Sequence, residues 1–330
     1  MANVGHTDYQ RGQIMIVMSL VLAVMLVAMA LYLNTAIFTE NLATRKGDIA
    51  GAGGAISYQY AVVEGASGAL AYANYNSNST YDNLEDAIET DLENWSQATN
   101  QLESTRSRSV EVSVSNPSRG TRIVQDNDRN FTNVSGNPDW YVVQDAGGVR
   151  NFHIDLIFDD LSEVLVDGIN LPTEDETPKI RFTDGIEEWQ VELYQNDGNA
   201  YLAVTDLSTG TMYGPCQVVD PDIRVEIDVT GAEFGGDPCP ALEFFDTFDG
   251  DIDIEYVDML DNDNPTIVGQ YELLVEKPDW DIDFDNYDFD GSEEHPYPTV
   301  ALYSIDIDIT YQTARIDYRT VVRIAPGEPE

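Results

Sequence analysis

Lysine is nearly missing from this chain, occurring only at positions 46, 179 and 277, and basic residues of both kinds number 16 against 60 acidic ones. The formal net charge is -44 and the sequence pI about 4.1. A protein binds a phosphate polyanion by releasing its counterions to a lysine and arginine footprint. The close basic groupings here are Arg45 with Lys46 and Arg106 with Arg108, so nucleic acid is excluded as a partner. Histidine is equally scarce, at 6, 153 and 295, and there is no H-E-x-x-H, phosphate-binding loop or dinucleotide fingerprint. Gly65-Ala66-Ser67-Gly68 is not a G-x-S-x-G nucleophile elbow and falls in a helical stretch. Carboxylates are too numerous to single out a glycosidase pair. The sequence therefore predicts a protein that is not an enzyme; a tethered hydrolase would need a deep pocket with converging carboxylates.

What the chain does hold is one long apolar run, Ile14 to Leu33, uncharged and with hydroxyls only at Ser19 and Tyr32. At about 1.5 Å per helical residue it spans roughly 30 Å, the hydrocarbon thickness of a bilayer. Its length favours a transmembrane helix over a buried core helix. The alternative is a secretory signal cut after Ala28-Met29-Ala30, against which Leu31, Tyr32 and Leu33 continue the run and Arg11 alone precedes it. Beyond it the chain is acidic but 42% hydrophobic, with 18 Tyr, 11 Phe and 4 Trp, enough to build a core. Self-repulsion of this size is screened at molar salt, and the composition, Asp-rich and poor in Lys, resembles that of haloarchaeal proteins.

Cys216 and Cys239 stand among turn formers, Gly214-Pro215 before and Gly235-Gly236-Asp237-Pro238 between. An even count outside the membrane favours a disulfide, the alternative being two unlinked buried thiols; no nearby His or third Cys completes a zinc set. Arg11 on one side of the run competes with Arg45 and Lys46 on the other, so basic residues leave orientation open. Four N-glycosylation sequons, at Asn78, Asn94, Asn130 and Asn133, lie on the C-terminal side. With the cysteines they favour an inside N-terminus and an extracytoplasmic C-terminal part at the cell membrane.

The stretch Arg11-Gly12-Gln13-Ile14 resembles the leader end of archaeal type IV pilin-like proteins, a basic residue and Gly ahead of a hydrophobic helix. The resemblance covers about residues 9 to 45, and Leu33 to Arg45 is similar to a segment of haloarchaeal membrane-anchored proteins of unassigned role. It implies cleavage by a prepilin peptidase between Gly12 and Gln13, and related pilin-like subunits as partners. Where such pilins often carry Glu, position 17 is Val.

Residues 34 to 73 lack proline and place small or apolar residues at 47, 51, 54, 58, 61, 65, 68 and 72, one face of a helix. Gly47, Gly51, Gly54, Gly65 and Gly68 each lower helix propensity by about 1 kcal/mol, so close packing is expected there, against the next helix or in self-association. That next helix runs from Tyr81 to about Ser104, with Leu84, Ile88, Leu92, Trp95, Thr99 and Leu102 at helical spacing. From Ser109 the period changes to 2: Val110, Val112 and Val114 alternate with polar residues, and segments near 179–182, 189–194, 201–204, 224–229, 251–257, 270–276 and 300–324 continue as strands. The expected class is α+β: a short cytoplasmic tail or leader (1–13), transmembrane helix (14–33), helical stalk or hairpin (34–108), a mainly antiparallel β-sandwich ectodomain (109–325), one large or two small with a boundary near 173–178, and a tail (326–330).

The run Asp279 to Asp290 offers Asp281, Asp283, Asp285, Asp288 and Asp290 as oxygen ligands, with calcium the candidate cofactor. It departs from the EF-hand, with Asn286 at the sixth position and Ser292 at the twelfth; the alternative is a solvated halophilic surface. The function expected is a membrane-anchored, extracytoplasmic structural or adhesive surface protein in the manner of a pilin-like subunit, the lipid bilayer being its first partner. The alternative is a tethered binding or cell-envelope module that does not assemble.

Overall fold

A computed structural model describes residues 53–75, 80–158, 161, 177–248, 250–259, 267–289 and 296–329. The bond Gly12 to Gln13, the run 14–33, Gly47, Gly51, Asn78, most of 173–178 and Asp290 lie outside the described residues. No helix among the described residues is long and apolar enough to cross a membrane.

Among the described residues two helices come first, α1 (53–75) and α2 (Tyr81–Ser104). The strands are β1 (Ser109–Asn130), β2 (Trp140–Ala146), β3 (Val149–Ile157), β4 (Lys179–Thr183), β5 (Glu188–Asn196), β6 (Asn199–Asp206), β7 (Thr211–Val218), β8 (Arg224–Asp228), β9 (Glu233–Phe234), β10 (Asp237–Pro238), β11 (Ile252–Val257), β12 (Val268–Val275), β13 (Tyr297–Gln312) and β14 (Asp317–Ile324). They build an eight-stranded sheet in the order β10-β9-β8-β3-β12-β1-β13-β14 and a six-stranded sheet in the order β2-β11-β4-β5-β6-β7. The pairings are antiparallel. Strands from both sides of 173–178 hydrogen-bond within each sheet. The stretch 300–324 is a hairpin, β13 and β14 in unbroken register from Ile305 opposite Ile324 to Gln312 opposite Asp317.

The main core lies between the sheets. Ile123, Phe152, Ile154, Leu156, Val225, Ile227 and Leu273 of the large sheet meet Val143, Ile180, Phe182, Val191, Leu202 and Ile254 of the small one. Alternation along each strand sends these residues inward and the intervening carboxylates outward. A second core forms where the long strands β1 and β13 reach α1 and α2: Val62, Ala66, Leu70, Leu84, Ile88 and Leu92 pack on Val112, Leu302, Ile305, Ile307, Ile309 and Ile324. The hairpin of helices is thus a layer on the large sheet.

Within the chain, α1 does not pack through its glycine stripe. The buried positions are Ala55, Val62, Ala66, Leu70 and Asn74, a neighbouring stripe at similar spacing. Gly65 and Gly68 face outward, with no atom within 4 Å of where a Cβ would stand, while at Gly54 that position is 2.7 Å from the Tyr311 hydroxyl. Val62 and Leu70 bury more apolar surface than glycine can, which decides the rotation of the helix. Likewise α2 buries Leu84, Ile88 and Leu92 and then Ser96 and Glu103, leaving Leu102 58% exposed. Repeated steps of four drift around a 3.6-residue helix, and the last two turns meet the polar start of β1. There Ser96 Oγ accepts the Val112 N–H at 2.9 Å and Asn100 Oδ1 the Val110 N–H at 3.2 Å.

Candidate functional site

The half of the large sheet not covered by helices presents a groove of about 480 Å³ across β8, β3, β12 and β1. Its floor is the outward-pointing set of the strand alternation: Glu226 and Asp228 from β8, His153 and Asp155 from β3, Gln270 and Glu272 from β12, Arg122 and Asp126 from β1. Two arginines hold several of these carboxylates. Arg224 reaches Asp128 at 2.5 Å and Asp155 at 2.8 Å, and Arg122 reaches Glu272 at 2.7 Å. Glu272 also accepts the Tyr75 hydroxyl from the end of α1 at 2.5 Å, and the Arg122 guanidinium lies over the Tyr75 ring at 4.5 Å. Burial opposes the charge on Arg122, but Glu272 outweighs it and raises the guanidinium pKa above its ordinary value. Burial and then Glu272 push the Tyr75 hydroxyl up.

His153 stands 3.5 Å from Asp228, yet Asp228 also accepts the Gly231 N–H at 2.7 Å and the Thr230 hydroxyl at 3.3 Å. Its carboxylate serves the turn after β8. The groove is a polar surface with fixed charges, and among the described residues no hydroxyl or thiol is hydrogen-bonded to His153.

At the other end, the aspartate run folds as two short 3-10 turns, Asp279–Asp281 and Phe284–Asn286, held by the buried side chains of Ile282 and Tyr287. Asp281, Asp283 and Asp285 point to solvent and Asp288 is half-buried. Asp283 caps the second turn, accepting the Asp285 N–H at 3.1 Å. Among the described residues no group of three or more His, Cys, Asp or Glu is arranged to hold a metal ion. The loop instead covers the edge of β2: Lys277 donates to the Gln144 carbonyl at 2.6 Å, Asn286 to that of Tyr141 at 3.2 Å, and Tyr287 to that of Val142. Trp280 packs edge-on to Tyr81, and Arg119 lies over the Tyr81 ring at 5.1 Å while reaching Glu85 at 2.8 Å.

Cys216 and Cys239 form a disulfide that joins β7 to the start of the 3-10 helix Pro240–Thr247. Of the sequons, Asn94 is exposed on α2 and Asn130 half-buried at the end of β1. Asn133 is 7% exposed: its Nδ2 donates to Asn286 at 3.0 Å and its Oδ1 accepts the N–H groups of Ser135 and Asn137.

Sequence reasoning passed over Arg150, which is 1% exposed and donates to the carbonyls of Pro326 at 2.6 Å and Leu302 at 3.2 Å. Burial lowers its pKa to about 10. Strand parity would have misplaced it: a bulge at Asn151, whose φ is +52°, breaks the alternation of β3, so Val149 and Phe152 both face the main core and Arg150 pairs with Leu274 on the other side, beside Tyr303.

A family of unknown function, DUF7261, matches residues 8–152, less than half of the chain, taking in the apolar run, both helices and the strands as far as the middle of β3. No curated protein and no solved structure matches.

Proposed function

We propose that this protein is a membrane-anchored, extracytoplasmic surface protein whose β body is held outward by the N-terminal apolar run, with a structural or adhesive role of the pilin-like kind. The observation that carries the reading is the uncharged run Ile14 to Leu33 in an otherwise very acidic chain. The Cys216–Cys239 bridge supports an oxidising location. A β body with two arginine-clamped carboxylate clusters and, among the described residues, no hydroxyl or thiol hydrogen-bonded to His153 suits binding or support better than catalysis. The open groove across β8, β3, β12 and β1 favours the second reading, a tethered binding module that does not assemble.

The test is the mass of the intact mature chain from native membranes. A start at Gln13 supports leader processing and assembly. A start at Met1 or Ala2 removes the pilin-like role and leaves an anchored module, and a start at Leu31 removes the anchor.

A further inference from the structure

The remaining sheet edges differ in how they are closed. The β2 edge is covered by Lys277, Asn286 and Tyr287. The first half of β1, which lacks a β12 partner, is capped by Ser96 and Asn100 from α2. β7 carries Pro215, which has no N–H to offer, and its pairing with β6 breaks register at Leu202/Val204. β10 is two residues long and ends in Pro238. β14 has none of these devices. It is eight residues, Asp317 to Ile324, without glycine or proline, straight in register with β13, and among the described residues nothing pairs with its outer side. Such an edge is a template for another strand.

Its charges say which strand. The exposed face carries Asp317, Arg319, Val321 and Arg323, with Arg315 in the preceding turn, so three of the 16 basic residues fall within nine positions of a chain of net charge -44. We propose that β14 pairs antiparallel with β14 of a second copy, about a two-fold axis through Thr320. In that register Asp317 lies opposite Arg323, Arg319 opposite Val321 and Tyr318 opposite Val322; Arg323 already holds Glu328 and Asp317 already holds Arg319 in their own chain, so the pairing adds a cross-strand partner of opposite sign to each of these pairs and sets an aromatic against a β-branched side chain. Sliding by two residues in one direction sets Arg319 against Arg319, and in the other Arg319 against Arg323. The charges therefore select one register and do not simply repel a neighbour. Tyr318 is already fixed by its hydroxyl on Gln59 of α1 at 2.7 Å, and Val322 packs on the helix-covered core, so the edge is rigid before pairing. The pairing is independent of the anchor and of the proposed role.

The experiment uses the full chain in detergent at about 1 M salt, where repulsion is screened to about 3 Å. Both native cysteines are bonded to each other, so a single new thiol reports alone. Thr320→Cys faces itself across the axis and should be oxidised to a species of doubled mass at least about tenfold faster than Ser135→Cys, because pairing raises the effective concentration of the thiols. Adding Asp317→Arg to Thr320→Cys should abolish this gain, and adding Arg323→Asp as well should restore it; restoration shows that the loss was not misfolding. Equal rates for the two thiols, indifference to Asp317→Arg, failure of the swap to restore the gain, or a crosslink to a different protein would each overturn the proposal.

Discussion

Among the described residues Arg150 is the one fully buried guanidinium, and its place explains how the C-terminal segment is held. Its two N–H bonds tie Pro326 and Leu302 together beneath β3, with the Tyr303 ring at 5.4 Å and Tyr303 in turn bonded to Glu328. Removing it takes the donor from the Pro326 carbonyl in a closed site, while the Leu302 carbonyl keeps the bond from Asn74 at 2.9 Å, so Arg150→Ala should lower unfolding free energy by about 2 kcal/mol, read from urea unfolding. Arg319→Ala, which removes an ion pair with Asp317 in solvent, should change it by under about 1 kcal/mol. Tyrosines set the alkaline limit. Burial raises the hydroxyls of Tyr58, Tyr256, Tyr271, Tyr287 and Tyr303, and that of Tyr81 to about 12. The folded state therefore keeps these protons where the unfolded chain has lost them. Their contribution to stability is complete below pH 10, the ordinary tyrosine value, and is lost as pH rises through the window up to about 12. Arg150 acts with the opposite sign, since between about 10 and the higher ordinary value of a guanidinium the unfolded chain holds more protons, but it is one group against six. Stability should fall steeply above pH 10, and a second wave of tyrosinate absorbance should coincide with loss of the far-ultraviolet signal; tyrosinate appearing smoothly in a still-folded protein would refute this.

At the scale of elements, side chains close what backbone pairing leaves open. The first half of β1 is the clearest case, because its N–H groups at 110 and 112 go to Asn100 and Ser96 and not to a strand. Ser96→Ala and Asn100→Ala should each cost about 1 kcal/mol in unfolding free energy, and together they should speed hydrogen exchange at Val110 and Val112 ahead of the core of β12. Reduction of Cys216–Cys239 should cost about 3 kcal/mol from the loop it closes. These examples also show where sequence reading reached and where it stopped. Periodicity carries Tyr81–Ser104 and most strands, because each has a covered face whose residues recur at the period of the element. The stripe it marked on α1 is not the one buried within the chain, since two stripes of small and apolar residues run side by side there and only contact area separates them. It marked 300–324 as strand without placing the turn, which Thr313 makes by taking the Arg315 and Ile316 N–H groups on its hydroxyl, a local bond with little signature in hydrophobicity. The groove was not legible at all. Glu272, Arg122 and Tyr75 come from three separated segments, and only the sheet order brings them together.

For the whole molecule the decisive quantity is charge. Among the described residues nine of its 16 basic residues are spent in local pairs: Arg106 and Arg108 on Glu103, Arg119 on Glu85 and Asp82, Arg122 on Glu272, Arg181 on Glu255, Arg224 on Asp128 and Asp155, Lys179 on Asp258, Arg319 on Asp317 and Arg323 on Glu328. What remains is a surface of carboxylates facing carboxylates, and folding brings them closer than the extended chain does. Salt acts on both sets. It weakens exposed pairs, each worth under about 1 kcal/mol, and it screens repulsion summed over the whole net charge of -44. The second effect is larger because it grows with the product of many charges while the pairs add singly. The thermal midpoint should therefore rise with potassium chloride from about 0.1 M, where the screening length is about 10 Å, to about 1 M, where it is about 3 Å, and flatten beyond. Sucrose favours burial without screening, and should give no such early rise. A midpoint that stayed flat or fell over the first decade of salt would mean that the ion pairs, and not the repulsion, dominate the electrostatics of this fold.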